Sequence, residues 1–321
     1  MTAQLVTALA AVLLSALLAP LLQGVINRVK ATIAGRRGRP LLQLYYDMAK
    51  LLRKAPVYST TSTIFFRIAP AAGVAACLIA LAVVPFGPLG SVFGFAGDFL
   101  FLGALFALAR FTLIVAALDT GSAFEGMGAA REALFSALAE PVFLFSLLVL
   151  AFHTGQQSLT GMLGGIRLDI WLANWPFLFL LAIAFFLLLL PENCRIPVDD
   201  PNTHLELTMI HEVMILDHSG PDLALLEYAA AIKLWIFCLL ISCLICPAFF
   251  SPVFSPEGVL GEAGIAGVAG SVALTLLAIF AVAVVVGLVE SLMARLRLER
   301  VPQVLTLAAC FAVFAALFSW R

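Results

Sequence analysis

Eight separate blocks of this chain are apolar over roughly the 20 residues that a helix needs to cross a bilayer, and that pattern excludes most other folds. They lie near Ala3–Val25, Ile68–Val84, Phe99–Leu118, Leu134–Phe152, Trp171–Leu190, Leu223–Cys246, Gly267–Val289 and Val304–Trp320. Backbone N–H and C=O groups find no water inside lipid, so each block is expected as an α-helix. Only 12% of the residues are charged, about half the share of a soluble domain. The reading is an all-α integral membrane protein, residues 1–321 forming a single polytopic domain of about eight transmembrane helices with amphipathic helices in its cytoplasmic loops. No charged segment precedes the first block and no convincing small-residue cleavage site follows it, so it is read as a retained span. The net charge of −1 argues against nucleic acid as a partner. No internal repeat is visible, which leaves the inverted-repeat transporter pattern unsupported.

The basic residues orient the spans. Nine of the eighteen Lys and Arg fall between Arg28 and Arg67 in the first loop. The third loop adds Arg131, the fifth Arg195, and the seventh Arg295, Arg297 and Arg300. The even loops hold Arg167 alone, a contrast of fourteen to one. Positive charge stays inside, so loops at about 26–67, 119–133, 191–222 and 290–303 are expected in the cytoplasm and both termini outside. In the first loop Leu41, Leu44, Tyr45, Met48, Leu51 and Leu52 recur at helical spacing, with Asp47, Lys50 and Lys54 on other faces. This predicts an interfacial amphipathic helix, serving as membrane anchor or as dock for a soluble partner.

The chemistry-bearing residues concentrate in the fifth loop. Residues 191–222 contain seven acids and three of the four histidines. Asp200 is placed to cap a helix opened by Pro201 and running to about Leu216, with Gly220 as its stop. On that helix Glu206 falls among Ile210, Val213 and other apolar residues, where a carboxylate must be paired, protonated or wet. Raised proton affinity there suits proton uptake; a structural salt bridge is the plainer alternative. His204, His211 and His218 recur every seven residues, which is not the spacing of a helical metal pair. A partner-facing polar stripe is the preferred reading of them.

Acids also enter the spans. Glu132, Ser136 and Glu140 make a stripe about 12 Å long at the helical rise, beside a Pro141 that loosens the local backbone. Intramembrane acids point to ion pathways, with pairing to Arg110 or Lys233 as the alternative. Glu227 and Lys233 lie on different faces of one span, so each needs a partner elsewhere. Glu290 is read as a plain boundary residue facing the basic cluster from Arg295 to Arg300. Cys243-Leu-Ile-Cys246 hints at an iron–sulfur run, but its apolar flanks favour buried thiols. No nucleotide-binding glycine pattern, metal-ligand set or catalytic triad is present in the sequence, so no cofactor is expected in this chain.

Three stretches carry a resemblance: Pro40-Leu-Leu-Gln-Leu-Tyr-Tyr-Asp-Met-Ala-Lys-Leu-Leu52, Leu118-Asp-Thr-Gly-Ser122 and Asp199-Asp-Pro-Asn-Thr-His-Leu-Glu-Leu-Thr-Met-Ile-His-Glu212. They resemble the membrane subunit of energy-converting [NiFe] hydrogenases, of the formate hydrogenlyase subunit 4 and hydrogenase-4 component C type. That family is similar to subunit 1 of respiratory complex I. Complex I proteins carry a Pro-Glu-Ala-Glu-type stretch where this chain has Pro201-Asn-Thr-His-Leu-Glu206, and Glu-Tyr-Ser-Gly where it has Asp217-His-Ser-Gly220. The hydrogenase branch is therefore the nearer match, although Glu125 stands where that branch is expected to have a small residue.

The resemblance implies a subunit of an oxidoreductase complex in the bacterial or archaeal cytoplasmic (inner) membrane. It implies a nickel–iron centre and iron–sulfur clusters on partners: hydrogenase large and small subunits and an iron–sulfur subunit. Arg36, Arg37, Asp47, Lys50, His204 and His211 would dock them. Asp119, Asp199, Asp200, Glu206 and Glu212 would open an ion pathway that Glu132, Glu140, Glu227 and Lys233 carry toward antiporter-like membrane subunits. A quinone-site subunit of a complex I-type enzyme and, less favoured, a free-standing ion transporter remain as alternatives.

Overall fold

The computed structural model describes residues 2–166, 168–199, 209–245 and 264–319. Among the described residues eight helices are long and apolar enough to cross a membrane. They are α1 (Thr2–Ile33), α3 (Ile64–Val83), α4 (Asp98–Asp119), α5 (Ala123–Thr154), α7 (Leu168–Glu192), α9 (Gly220–Ile245), α10 (Gly264–Leu292) and α11 (Val301–Ser319). Three short helices sit in the connections: α2 (Gln43–Leu51), α6 (Leu159–Gly164) and α8 (His211–Met214). The membrane-protein reading holds, with one long helix for each of the eight apolar blocks.

Helix α9 is the hub. It packs against α1, α2, α3, α7 and α10, and from Ala231 to Leu244 every residue except Lys233 is buried. A helix apolar on all sides belongs in the middle of a bundle, and the one polar exception there marks where chemistry enters. Around this hub α3 pairs with α4, α4 with α5, α11 with both α5 and α7, and α1 with α10.

Two helices run further than their apolar cores. α1 continues through Arg28 and Lys30 until Gly35, whose φ of +64° ends the extension. α5 starts at Ala123, so Glu125 and Arg131, expected in a loop, lie with Glu132 on a helix that stands proud of the apolar block. Alanine-rich sequence there favours the helical form.

The fifth connection departs from expectation. Residues 201–208, which include His204 and Glu206, lie outside the described residues, as does Asp200. Met209 and Ile210 are not helical, α8 is a single turn, and His218 follows in a turn of its own. The predicted continuous helix to Leu216 is therefore not formed, and a physical reason is visible. Other segments satisfy the backbone groups that a ladder would use. The Asp199 carboxylate accepts from the N–H groups of Ile210 and His211 at 3.1 and 3.2 Å. Arg131 donates to the Met209 carbonyl at 2.8 Å, and Glu125 accepts from the Asp217 N–H at 3.1 Å. Gly128 permits the approach, since a Cβ there would stand 3.0 Å from both the Ile210 carbonyl and the Met214 side chain. Of the three histidines, the described His211 and His218 do not share a partner-facing stripe. His218 is buried and stacks on Phe66 at 3.9 Å, while His211 points into the interior.

The amphipathic helix of the first loop is present as α2, tied to α1 next to a turn weakened by a proline. Pro20 inside α1 has no N–H, which strands the Ala16 carbonyl four residues earlier. The Tyr228 hydroxyl of α9 donates to that carbonyl at 3.0 Å, and Tyr45 of α2 donates to the next one, Leu17, at 2.5 Å. Two tyrosines thus lash α2 and α9 to the weakened turn of α1. Each of Tyr45→Phe and Tyr228→Phe is expected to cost about 1 kcal/mol, read as a lower melting temperature in detergent. Pro20→Ala should shrink the Tyr228→Phe effect in a double-mutant cycle, because alanine at that position returns a backbone donor to the Ala16 carbonyl.

Candidate functional site

A guanidinium lies inside the bundle with three carboxylates on it. Arg110, 6% exposed, projects from the middle of α4. Its Nε donates to Glu132 at 3.1 Å and its Nη1 to Glu140, both on α5. Its Nη2 donates to Glu192 at the end of α7 at 2.5 Å. Each of the three nitrogens therefore holds one acid, so the planar fork spreads three partners over three separate atoms. The Oε2 of Glu192 that meets Arg110 also meets Lys233 Nζ of α9 at 2.7 Å. Four helices are cross-linked by five side chains.

Charges are costly at this depth unless paired, and an aromatic group packs against the network on one side. Phe106, Phe143, Phe185 and Phe237 form a packed aromatic group below the network, with centroid separations of 5.4 to 5.8 Å. The Lys233 ammonium stands 5.8 Å from the Phe106 centroid, a favourable position over a ring face. Two cavities flank the network. One, of about 90 Å³, has Arg110, Glu192, Asn193, Cys194, His211 and Lys233 in its lining. That volume suits a few waters better than a bulky ring, since ligand pockets run to about 300 Å³ or more. The other, of about 300 Å³, runs along α4 from Arg110 and Glu140 to Leu100.

A second charged layer lies at the ends of the helices. Glu290, 5% exposed, accepts from Lys30 at 2.7 Å and faces Arg195 at 3.8 Å. It is an interior ion-pair residue, and the reading of it as a plain boundary facing the 295–300 cluster is corrected. α1 extends far enough to bring Lys30 to it. Asp199, 1% exposed, faces Arg295 at 3.4 Å while it holds the start of α8. Glu212 shares this layer. Burial, and then the neighbouring Glu227 and Asp199 carboxylates, push its carboxyl up to about 7 against the opposing pull of Arg195. Burial, helped by Lys233 and Arg195, pushes His211 down to about 4, so its ring is neutral at ordinary pH.

The structure thus gathers Glu132, Glu140 and Lys233 into the inner network and Asp199, Glu212 and Glu227 into the outer layer. The pairing of Glu132 and Glu140 with Arg110 is the alternative that the sequence left open. Asp119 stands apart: it accepts from Thr63 N and Oγ1 at 2.6 and 2.9 Å, joining the end of α4 to the start of α3. Arg36, Arg37 and Lys50 are exposed, Asp47 accepts from Gln43 at 2.9 Å, and His211 is turned to the cavity and away from any docking surface. Sequence reasoning missed Glu192. The signal was two cations within spans, Arg110 and Lys233, on helices that offered them no nearby acid.

Arg110→Gln is expected to strand Glu132 and Glu140, leaving Glu192 on Lys233 alone, and to cost about 3–5 kcal/mol, seen as loss of folded protein in detergent. Arg110→Lys should recover only part of it. The Glu212 carboxyl should lose its proton around pH 7 in pH-difference infrared spectra, a signal absent from Glu212→Gln. In Arg195→Ala its midpoint should move higher, because the opposing positive charge is gone.

A family model described as NADH dehydrogenase matches residues 5–320. Formate hydrogenlyase subunit 4 of Escherichia coli (strain K12) is 30% identical over 304 residues, 92% of each chain. Hydrogenase-4 component C of the same organism is 33% identical over 229 residues, 70% of each. A solved structure of the membrane-bound sulfane sulfur reductase, an archaeal respiratory membrane complex, contains a chain with the same fold. The TM-score is 0.75 at 21% identity, covering 98% of this chain and 99% of that one. With the family model matching nearly its whole length and these relatives at 30% and 33% identity, the chain belongs to the NADH dehydrogenase family of membrane subunits, in the group of formate hydrogenlyase subunit 4 and hydrogenase-4 component C.

Proposed function

We propose that this chain is the membrane anchor and ion-pathway subunit of a membrane-bound [NiFe] hydrogenase of the formate hydrogenlyase type. Redox chemistry would reside on partners that hold a nickel–iron centre and iron–sulfur clusters: hydrogenase large and small subunits and an iron–sulfur subunit. Exposed basic residues of the first loop, Arg36, Arg37 and Lys50, would dock them at the cytoplasmic face of the inner membrane, with the termini outside. The bias of Lys and Arg toward the odd loops supports this orientation.

The observation that carries the pathway reading is the cavity whose lining includes both His211 and the network residues Arg110, Glu192 and Lys233. Glu212, with its proton affinity near neutral, is next in sequence to His211 and would serve as the entrance. A proton taken up there would reach the cavity past the neutral His211 ring and arrive at Glu192. Arg110 stays protonated and donates to Glu192, Glu132 and Glu140 at once, so a proton passed from Glu192 to either of the others through water in the flanking cavities would leave two carboxylates against two cations. Antiporter-like membrane subunits would receive it. Asp200 and Glu206 are retained as candidates for the mouth of this route.

The test is the reconstituted complex in sealed vesicles, with hydrogen evolution and ion uptake read together. Glu132→Gln and Glu140→Gln are each expected to lower ion uptake per hydrogen by several-fold while the complex stays assembled. Glu212→Gln should also flatten the pH dependence of turnover near 7. Unchanged turnover and coupling in all three would refute the pathway. Quinone-dependent turnover with no nickel in the preparation would transfer the chain to the complex I type.

A further inference from the structure

One side chain of the network is not enclosed by this chain. The Glu140 side chain is 38% exposed, against 5% for Arg110 and for Glu192. It lies well inside the helix. At 1.5 Å per residue it stands roughly 25 Å from Ala123 and 21 Å from Thr154. Its partner Arg110 is about 14 Å from one end of α4 and 18 Å from the other, far from either aqueous surface. The surrounding surface is apolar: Leu138, Phe145 and Leu148 of α5 and Leu100 and Leu108 of α4 are all exposed. A carboxylate left against hydrocarbon at this depth costs several kcal/mol.

With all three acids ionised, the local charge is also one cation short. The five linked side chains are two cations, Arg110 and Lys233, and three acids, Glu132, Glu140 and Glu192. Next to Glu140 the cleft of about 300 Å³ opens between α4 and α5, with Leu100 and Ala104 exposed along it and Arg110 and Glu140 at one end. It has room for a long side chain to reach the acid from outside.

We propose that the α4–α5 face around Glu140 is a docking surface for a membrane-spanning helix of another subunit, and that this helix carries a lysine, arginine or histidine at the depth of Glu140. The basic group supplies the missing positive charge, and the helix shields the carboxylate from lipid. A second copy of this chain fits poorly, because a two-fold contact would set Glu140 against Glu140. The proposal rests on the chain being one subunit of a larger membrane assembly, and on no ion moving through it.

A photo-crosslinking amino acid is placed at Ala104 or Ala137, with Glu140 intact, and at Leu277 of α10 as the control. The assembled complex is irradiated in its native membrane and the adducts are mapped. Positions 104 and 137 are expected to mark one spanning segment of a different subunit, containing a basic residue, which position 277 does not mark. Glu140→Lys should reduce those adducts at least tenfold, and an acidic replacement of the partner's basic residue should restore them. Adducts to lipid alone, to a second copy of this chain, or to a segment lacking a basic residue would overturn the proposal. Adducts as expected, with full ion coupling in Glu140→Gln, would count against the pathway and support the docking surface.

Discussion

Placing a guanidinium within a bilayer is possible here because three carboxylates from two helices meet it, each on its own nitrogen. The rest of the interior follows from that pairing. α4, α5 and α7 are held at separations that let Glu132, Glu140 and Glu192 reach Arg110, and Lys233 brings the hub helix α9 into the same group. Aromatic side chains fill the space below. Without mutual pairing none of these residues would be tolerable at this depth, so the network determines the helix arrangement as much as apolar packing does. In lipid, burial of apolar surface gives little preference between one bundle and another.

The eight spans and the α2 helix were legible in the sequence because apolar periodicity is a local property. The network was legible in its members more than in its wiring. Glu132 and Glu140 stand two turns apart on one helix, and their pairing with Arg110 was one of two open possibilities. Glu192 was overlooked because it follows Pro191 at the point where the apolar run ends, and a residue there reads as loop. Only the packing of α7 against α5 and α9 turns it inward.

The fifth connection shows the reverse error. Its sequence carries helix signals, and a continuous helix through Met209 and Ile210 was the local expectation. Asp199, Arg131 and Glu125 take the backbone groups that such a helix would use, and Gly128 opens the space. The farthest of these contacts joins residues 92 positions apart, and no local pattern announces them. Glu290 was misjudged for a similar reason: its partner Lys30 lies at the other end of the chain, on a helix that runs a turn or more past its apolar core.

The single oxygen of Glu192 shared by Arg110 and Lys233 has a consequence for how the interior responds to disturbance. Two cations on different helices hold one acid, so either helix can shift slightly while the other keeps the carboxylate company. The junction behaves like a joint with two pins: withdrawing one leaves it hinged on the other. Relative movement of α4 and α9 is thereby made tolerable in an environment where a fully separated ion pair is not.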